Sequence, residues 1–292
     1  LLRWGYVVGA DDHYEFSASA LLFAEPGVLA NDLFFNSLRG LGISERTLFG
    51  SAMGALVPLG NGVWLVLHCL SFVATVLGVV RLGQLAGLRS LGAQYGVVFV
   101  SLFVLYNFNT GGTELAYNNF QSSSISDAAG VWALCLCLQR RQWGAVALLS
   151  VATAAQPLVG ANLIVLCGAV WLWQATVLKT LKWKTILLAG TAWLATSGVW
   201  IAFIRLAYQT DAAALSDAEF FHAMFRVRAP HHFLPSAFPL SGWLVMSCLT
   251  LAGLWVFGKM RHPLAAVLLA LVGVGAIYTV GVEGFESFTL GS

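Results

Sequence analysis

The chain has 292 residues, 59% hydrophobic and 10% charged, with a formal net charge of +2 and a mean hydropathy of +0.80. Soluble domains carry roughly a quarter of charged residues, so this composition excludes a soluble globular protein and requires an integral membrane one. So small a net charge speaks to membrane topology and leaves no nucleic-acid footprint.

In chain order, residues 1–10 are mostly apolar and run into a charged segment without a helix-starting cap, which predicts the outer end of a transmembrane helix truncated at its beginning. The first long loop, 11–61, opens with Gly9-Ala10-Asp11-Asp12-His13-Tyr14-Glu15-Phe16 at the membrane surface. Asp11, Asp12, His13 and Glu15 can supply a general base, ligands for a divalent cation, or both. Adjacent carboxylates raise each other's proton affinity, which brings a base nearer working pH. The plainer alternative is that Asp12 caps a helix and Glu15 completes its capping box. Next, Val28, Leu29, Leu33, Phe34, Leu38 and Leu41 recur against Asn31, Asp32, Asn36 and Arg39, which predicts an amphipathic helix within 27–42. Lying in the membrane interface, it would floor a groove admitting a lipid-borne substrate; as a plain loop helix it would only support the loop.

Apolar segments then predict eight full crossings, at 62–80, 91–107, 122–138, 143–160, 161–178, 185–206, 240–257 and 263–281. The turns at 81–89, 139–142, 179–184 and 259–261 hold nine of the fifteen basic residues and no acidic one. By the positive-inside rule these turns are cytoplasmic, and all thirteen Asp and Glu can be placed on the other face with the long loops. Cys69, Cys135, Cys137, Cys167 and Cys248 fall inside spans, where they serve as small apolar residues; Cys135 and Cys137 point to different faces of one helix and make no metal pair.

The remaining outer loops complete the candidate site. The loop at 108–121 mixes amides, hydroxyls and aromatics around Glu114 and Asn118, a composition suited to sugar hydroxyls and ring faces and equally that of an ordinary polar loop. Gln156, before Pro157, ends a span at the same face, either aiming an amide into that space or serving as a helix terminus. In Phe225-Arg226-Val227-Arg228-Ala229-Pro230-His231-His232-Phe233-Leu234-Pro235, two Arg and two His read as an anion site for phosphate or pyrophosphate, or the Arg side chains snorkel to headgroups. Pro230 and Pro235 predict a stiff loop without regular helix, and adjacent His231 and His232 make poor metal ligands.

These pieces resemble the polytopic GT-C class of glycosyltransferases, which use polyprenyl-phosphate-linked sugars on the extracytoplasmic face. Asp11 and Asp12 stand where that class carries its carboxylate motif, in the first outer loop after the first transmembrane helix, and the amphipathic segment matches its juxtamembrane helix. The Asp-His start and the Arg-x-Pro-His-His-Phe-Leu-Pro stretch are also similar to a family of uncharacterised bacterial membrane proteins related to the class. Many members continue into a soluble outer domain, whereas this chain reads as one membrane domain over 1–292. The resemblance implies a bacterial inner-membrane enzyme of the cell envelope that transfers a sugar from a polyprenyl-phosphate donor to a glycan, lipid or protein acceptor. It implies Asp11 or Asp12 as the catalytic base, Arg226, Arg228, His231 and His232 against the leaving phosphate, and His13, Glu15, Glu114, Asn118 and Gln156 around the substrates. A divalent cation, Mg or Mn, on Asp11 and Asp12 is compatible with this chemistry and not required by it.

Two other classes fit the composition. A transporter would keep an ionisable group at mid-membrane, where His68 is the lone candidate, and would show inverted repeats, which the sequence does not. A noncatalytic membrane scaffold would turn the acidic and basic motifs away from each other.

Overall fold

The computed structural model describes residues 6, 13–40, 42–105, 119–207, 216–228 and 230–289, of which 217, 220, 228, 231, 232 and 285–289 by backbone alone. Among these residues every regular element is helical. That is the outcome lipid imposes, because a helix satisfies its own backbone hydrogen bonds where water cannot.

The helix end expected over 1–10 lies outside the described residues but for Tyr6, and among the described residues three short helices follow: α1 (His13–Ala24), α2 (Leu33–Gly40) and α3 (Thr47–Gly54). Asp32 caps α2 by accepting from the Phe35 N–H at 3.1 Å, so the amphipathic helix expected over 27–42 is only 33–40, and a turn occupies the residues before it. The bundle follows with α4 (Gly62–Leu85), α5 (Leu91–Phe99, continued as π-helix to Val104), α6 (Ser122–Leu138), α7 (Gln142–Ala155) and α8 (Pro157–Thr176). After α9 (Trp183–Trp193), a π-helical stretch at Leu194–Gly198 leads straight into α10 (Val199–Ala207). Past α11 (Asp217–Phe221) come a π-helical turn at His222–Arg228 and α12 (Pro230–Phe233), and the chain closes with α13 (Leu240–Lys259) and α14 (Leu264–Thr289).

Among the described residues five helices are long and apolar enough to cross a membrane: Gly62–Leu85, Pro157–Thr176, Trp183–Ala207, Leu240–Lys259 and Leu264–Gly284. The other three expected crossings are helical but shorter, at Leu91–Val104, Ser122–Leu138 and Gln142–Ala155. At 1.5 Å per residue these reach only about 21–26 Å, against a hydrocarbon core of roughly 30 Å.

The boundary between α7 and α8 falls at Gln156, four residues before the expected one. Proline sets it: Pro157 begins α8 as its first residue, where the missing N–H costs nothing. Gly160 then lies directly against Thr153 of α7, so the two helices turn back on each other after one linking residue.

The main core gathers Trp171, Leu149, Val170, Cys137, Cys167 and Ala133 from α6, α7 and α8, with Trp193 from α9 and Val267 from α14. Small residues let these helices approach closely, and interhelical hydrogen bonds tie them. Trp132 Nε1 donates to Ala74 O at 2.9 Å, Ser126 Oγ to Ala152 O at 2.8 Å and Gln174 Nε2 to Cys137 O at 2.9 Å. All five cysteines are free thiols, three of them fully buried in the bundle.

The four basic turns meet at one end. His262 Nε2 donates to Leu85 O at 3.0 Å, Trp173 Nε1 to Arg261 O at 3.1 Å, and the Gln174 bond joins the ends of α8 and α6. The helices that finish here close in related ways. Leu88 N–H reaches Gly83 O, Arg141 N–H reaches Leu136 O and His262 N–H reaches Phe257 O, each five residues back. Gly87 supplies the left-handed residue at the first of these ends, but Arg140 (φ 61°) and Arg261 (φ 52°) occupy it at the others, and Lys179 (φ 56°) does so after α8. A cation at a helix C-terminus offsets part of that strain by facing the negative end of the helix dipole.

Candidate functional site

The opposite end of the bundle carries the first-loop helices over a second core of Phe16, Ala20, Phe49, Met53, Trp64 and Phe120. Helices α1 and α3 pack side by side, with Gly54 against Phe23 and the Ala20 carbonyl. This packing fixes the residues that follow the Asp pair.

His13 is the first residue of α1, as a cap at Asp12 predicts; Asp11 and Asp12 themselves lie outside the described residues. The His13 side chain is 2% exposed, with its ring 4.9 Å from Trp64 and 6.4 Å from Tyr6. Burial disfavours its charged form and pulls its pKa below the ordinary histidine value, so at neutral pH it is a neutral imidazole. The chain of rings continues from Tyr6 to His68 at 5.2 Å, and the His68 ring donates to the Asn119 backbone carbonyl. Among the described residues Tyr6 Oη and His68 Nδ1 have no hydrogen-bond partner although both atoms are buried. Native interiors rarely leave such atoms unsatisfied, so this cluster has room in its chemistry for a water or a ligand hydroxyl.

Glu15, one helical step on, is engaged elsewhere: its carboxylate forms an ion pair with Arg46, the residue preceding α3. Arg46 also lies 5.6 Å from the Phe16 ring centroid and 3.7 Å from Glu45. Glu15 therefore clamps α1 to α3, which is a positioning task for the loop.

Glu114 and Asn118 lie outside the described residues. Gln156 is the half-exposed linker between α7 and α8; its N–H bonds Ala152 O at 2.8 Å and its carbonyl accepts from Gly160 at 3.0 Å. Its backbone is thus a helix terminus, and the side chain is left to the surface of that end.

The cationic stretch differs from the expected irregular loop. It is helical in short pieces, a π-helical turn over 222–228, α12 over 230–233 and a 3-10 turn at Pro235–Ala237. Both prolines stand at the first position of their piece, so they start helices instead of preventing them. Phe225 stacks on Phe221 at 4.5 Å and meets the tilted ring of Phe233 at 5.0 Å. Tyr278 Oη donates to Phe233 O at 2.7 Å and Ser236 N–H to the Glu283 carboxylate at 2.9 Å, anchoring the stretch to α14. Arg226 is exposed on this framework; Arg228, His231 and His232 are described by backbone only.

Sequence reasoning missed three participants. Tyr6 and Trp64 read as ordinary apolar-segment aromatics, and their signal was only nearness to the loop. Asp127 was missed differently: it sits inside α6, more than a turn from its start, and not on a loop with the other carboxylates. It is partly buried, and among the described residues no ion pair or hydrogen bond is made by its side chain. A single Asp in the serine-rich start of an apolar span was the signal.

Among the described residues no group of three or more His, Cys, Asp and Glu is arranged to hold a metal ion. Compared with models of known families, with curated proteins and with solved structures, the chain finds no match.

Proposed function

We propose that this chain is a membrane glycosyltransferase of the GT-C kind, moving a sugar from a polyprenyl-phosphate donor to an extracytoplasmic acceptor. The observation that carries the reading is the first loop. An Asp-Asp-His sequence enters a short helix whose head is buried against the bundle, flanked by an amphipathic helix with an uncovered apolar face, at the end away from the basic turns. In this reading the basic end is cytoplasmic, the chain crosses the bilayer eight times, and the three shorter helices cross where the bilayer thins around them.

The chemistry is a single displacement. The acceptor hydroxyl oxygen attacks the anomeric carbon, the bond from that carbon to the phosphate oxygen breaks, and the phosphate leaves with the electron pair on its lipid. Asp11 or Asp12 takes the hydroxyl proton, and the anomeric centre inverts. Arg226 and Arg228, with His231 or His232, stabilise the charge developing on the phosphate. His13 is uncharged at neutral pH and so suits hydrogen bonding to a sugar hydroxyl better than phosphate neutralisation.

The test uses purified protein and a polyprenyl-phosphate sugar, with binding and release of lipid phosphate followed in parallel. Turnover lost by at least about a hundredfold in Asp12→Ala or Asp11→Ala, with donor binding kept, supports the base assignment. Donor affinity unchanged in an Arg226→Gln/Arg228→Gln double variant overturns the phosphate assignment. Absence of donor binding by the wild type overturns the transferase reading itself.

A further inference from the structure

The helices of the first loop line a half-open cavity of about 250 Å³ to whose polar residues the proposed transfer step assigns no role. Its polar wall is made by Arg39, Ser44, Arg46 and Thr47, and its apolar wall includes Leu22 and Leu38. Among the described residues no lining residue is acidic.

The polar wall offers hydroxyl and guanidinium donors. Ser44 Oγ accepts the Arg46 N–H at 3.3 Å and Thr47 Oγ1 accepts the Ser44 N–H at 2.8 Å, so one lone pair of each hydroxyl is used locally and its proton remains to be given. Arg46 has its charge matched by Glu15 and Glu45. Arg39 does not. Its Nε donates to Pro26 O at 3.1 Å, Nη1 to Asn36 Oδ1 at 2.6 Å and Nη2 to Val28 O, all neutral acceptors. Among the described residues no carboxylate stands within ion-pair distance of it. The three bonds use part of a five-donor guanidinium and hold the rest in place, a preorganised cation on a donor-rich wall.

The cavity lies beside α2, none of whose residues is buried, with Leu33 86% exposed. An uncovered apolar helix face beside a cationic pocket is the arrangement of a segment lying in the bilayer interface. A volume near the small end of the ligand-pocket range, roughly 300–1,000 Å³, suits a headgroup with its chain emerging along the apolar wall.

We propose that this cavity binds the phosphate of a membrane phospholipid, with Arg39 as its counter-charge and Leu22 and Leu38 against the start of the lipid chain. The site is independent of whether the chain transfers sugars. Bound lipid would brace α2 against α1 and α3.

The full chain in neutral detergent is titrated with phosphatidylglycerol, with diacylglycerol of the same chains and with inorganic phosphate, bound lipid being counted by native mass spectrometry alongside thermal unfolding. Phosphatidylglycerol is expected to bind and raise the midpoint in a saturable way, diacylglycerol to do neither, and inorganic phosphate to act at least about tenfold more weakly. Arg39→Gln should weaken phosphatidylglycerol by about tenfold or more, the scale of a lost charge-assisted contact, while Arg39→Lys keeps most of it. Because Arg39 also braces the 26–28 turn, Leu38→Asp serves as the second variant, placing a negative charge on the apolar wall while Arg39 itself is kept. Diacylglycerol binding as tightly as phosphatidylglycerol, or Leu38→Asp binding as the wild type does, overturns the site. Inorganic phosphate matching phosphatidylglycerol overturns the lipid assignment.

Discussion

Gly160→Ala tests the turn that delivers Gln156 to the candidate-site end of the bundle. A methyl group at this position would lie 2.5 Å from the Thr153 Cα and 2.7 Å from its Cβ, and closer still to its hydroxyl. Two of these contacts belong to the α7 backbone or its first side-chain atom, which no rotamer change can move, so the helices must separate. Overpacking of this kind costs about 1–3 kcal/mol. The same helix supplies its own control: at Gly168 an added methyl meets nothing within 4 Å. There alanine gains about 1 kcal/mol of helix propensity with no steric loss. Because the propensity gain is common to both helical positions, the two substitutions should differ by the overpacking cost alone, about 1–3 kcal/mol, with Gly160→Ala the less stable. Reversible unfolding of each variant in mixed micelles, scored by far-ultraviolet circular dichroism, reads the difference. Equal stability of Gly160→Ala and Gly168→Ala would refute the close approach of α7 and α8 at this turn.

Three further outcomes follow from the site. Both side chains of the Glu15–Arg46 pair are about a quarter to a third exposed, so a double-mutant cycle of Glu15→Gln and Arg46→Gln should give a coupling of up to about 1 kcal/mol that fades with salt; loss of turnover with undiminished stability would instead make Glu15 a catalytic group. His13 and His262 both have pKa values lowered by burial from 6.5, so their stabilising contribution is complete above that pH and is lost as pH falls through the lower folded-state values. At His262 protonation also removes the Leu264 N–H bond to Nδ1. Unfolding measured from pH 7.5 to 5 should show that loss, and a His13→Phe/His262→Gln double variant should flatten it; an unchanged slope would mean the acid sensitivity lies elsewhere. Asp127→Asn, by removing a partly buried carboxylate that has no partner among the described residues, should raise stability by about 1 kcal/mol. A fall in stability would reveal a partner for that charge.

Much of this protein is legible in its sequence, because the solvent imposes simple rules. Low charge and long apolar runs dictate helices, since no other open structure satisfies its backbone in lipid. Among the described residues each of the eight expected apolar runs is helical, five of them in helices long and apolar enough to cross a membrane, and the four basic turns between them gather at one end. A helix beginning near His13 was equally readable, from the Asp12 to Glu15 spacing of a capping box, though Asp12 lies outside the described residues.

Packing decided the rest. Composition counts a residue as apolar wherever it points, so it runs the span on to 160; the fold instead begins α8 at Pro157, and Gly160 allows the close return against Thr153. Nor could it end α7 at Ala155, five residues before the expected 160, since the apolar residues after Pro157 read as its continuation. Chemistry at the site depends on neighbours distant in sequence. Glu15 looks like a free acid until Arg46 reaches it, and His13, Tyr6 and His68 become one cluster only when the first loop folds down on α4. Local rules fix which residues are helical; long-range contacts fix which polar groups are spent on holding the fold and which remain for a ligand.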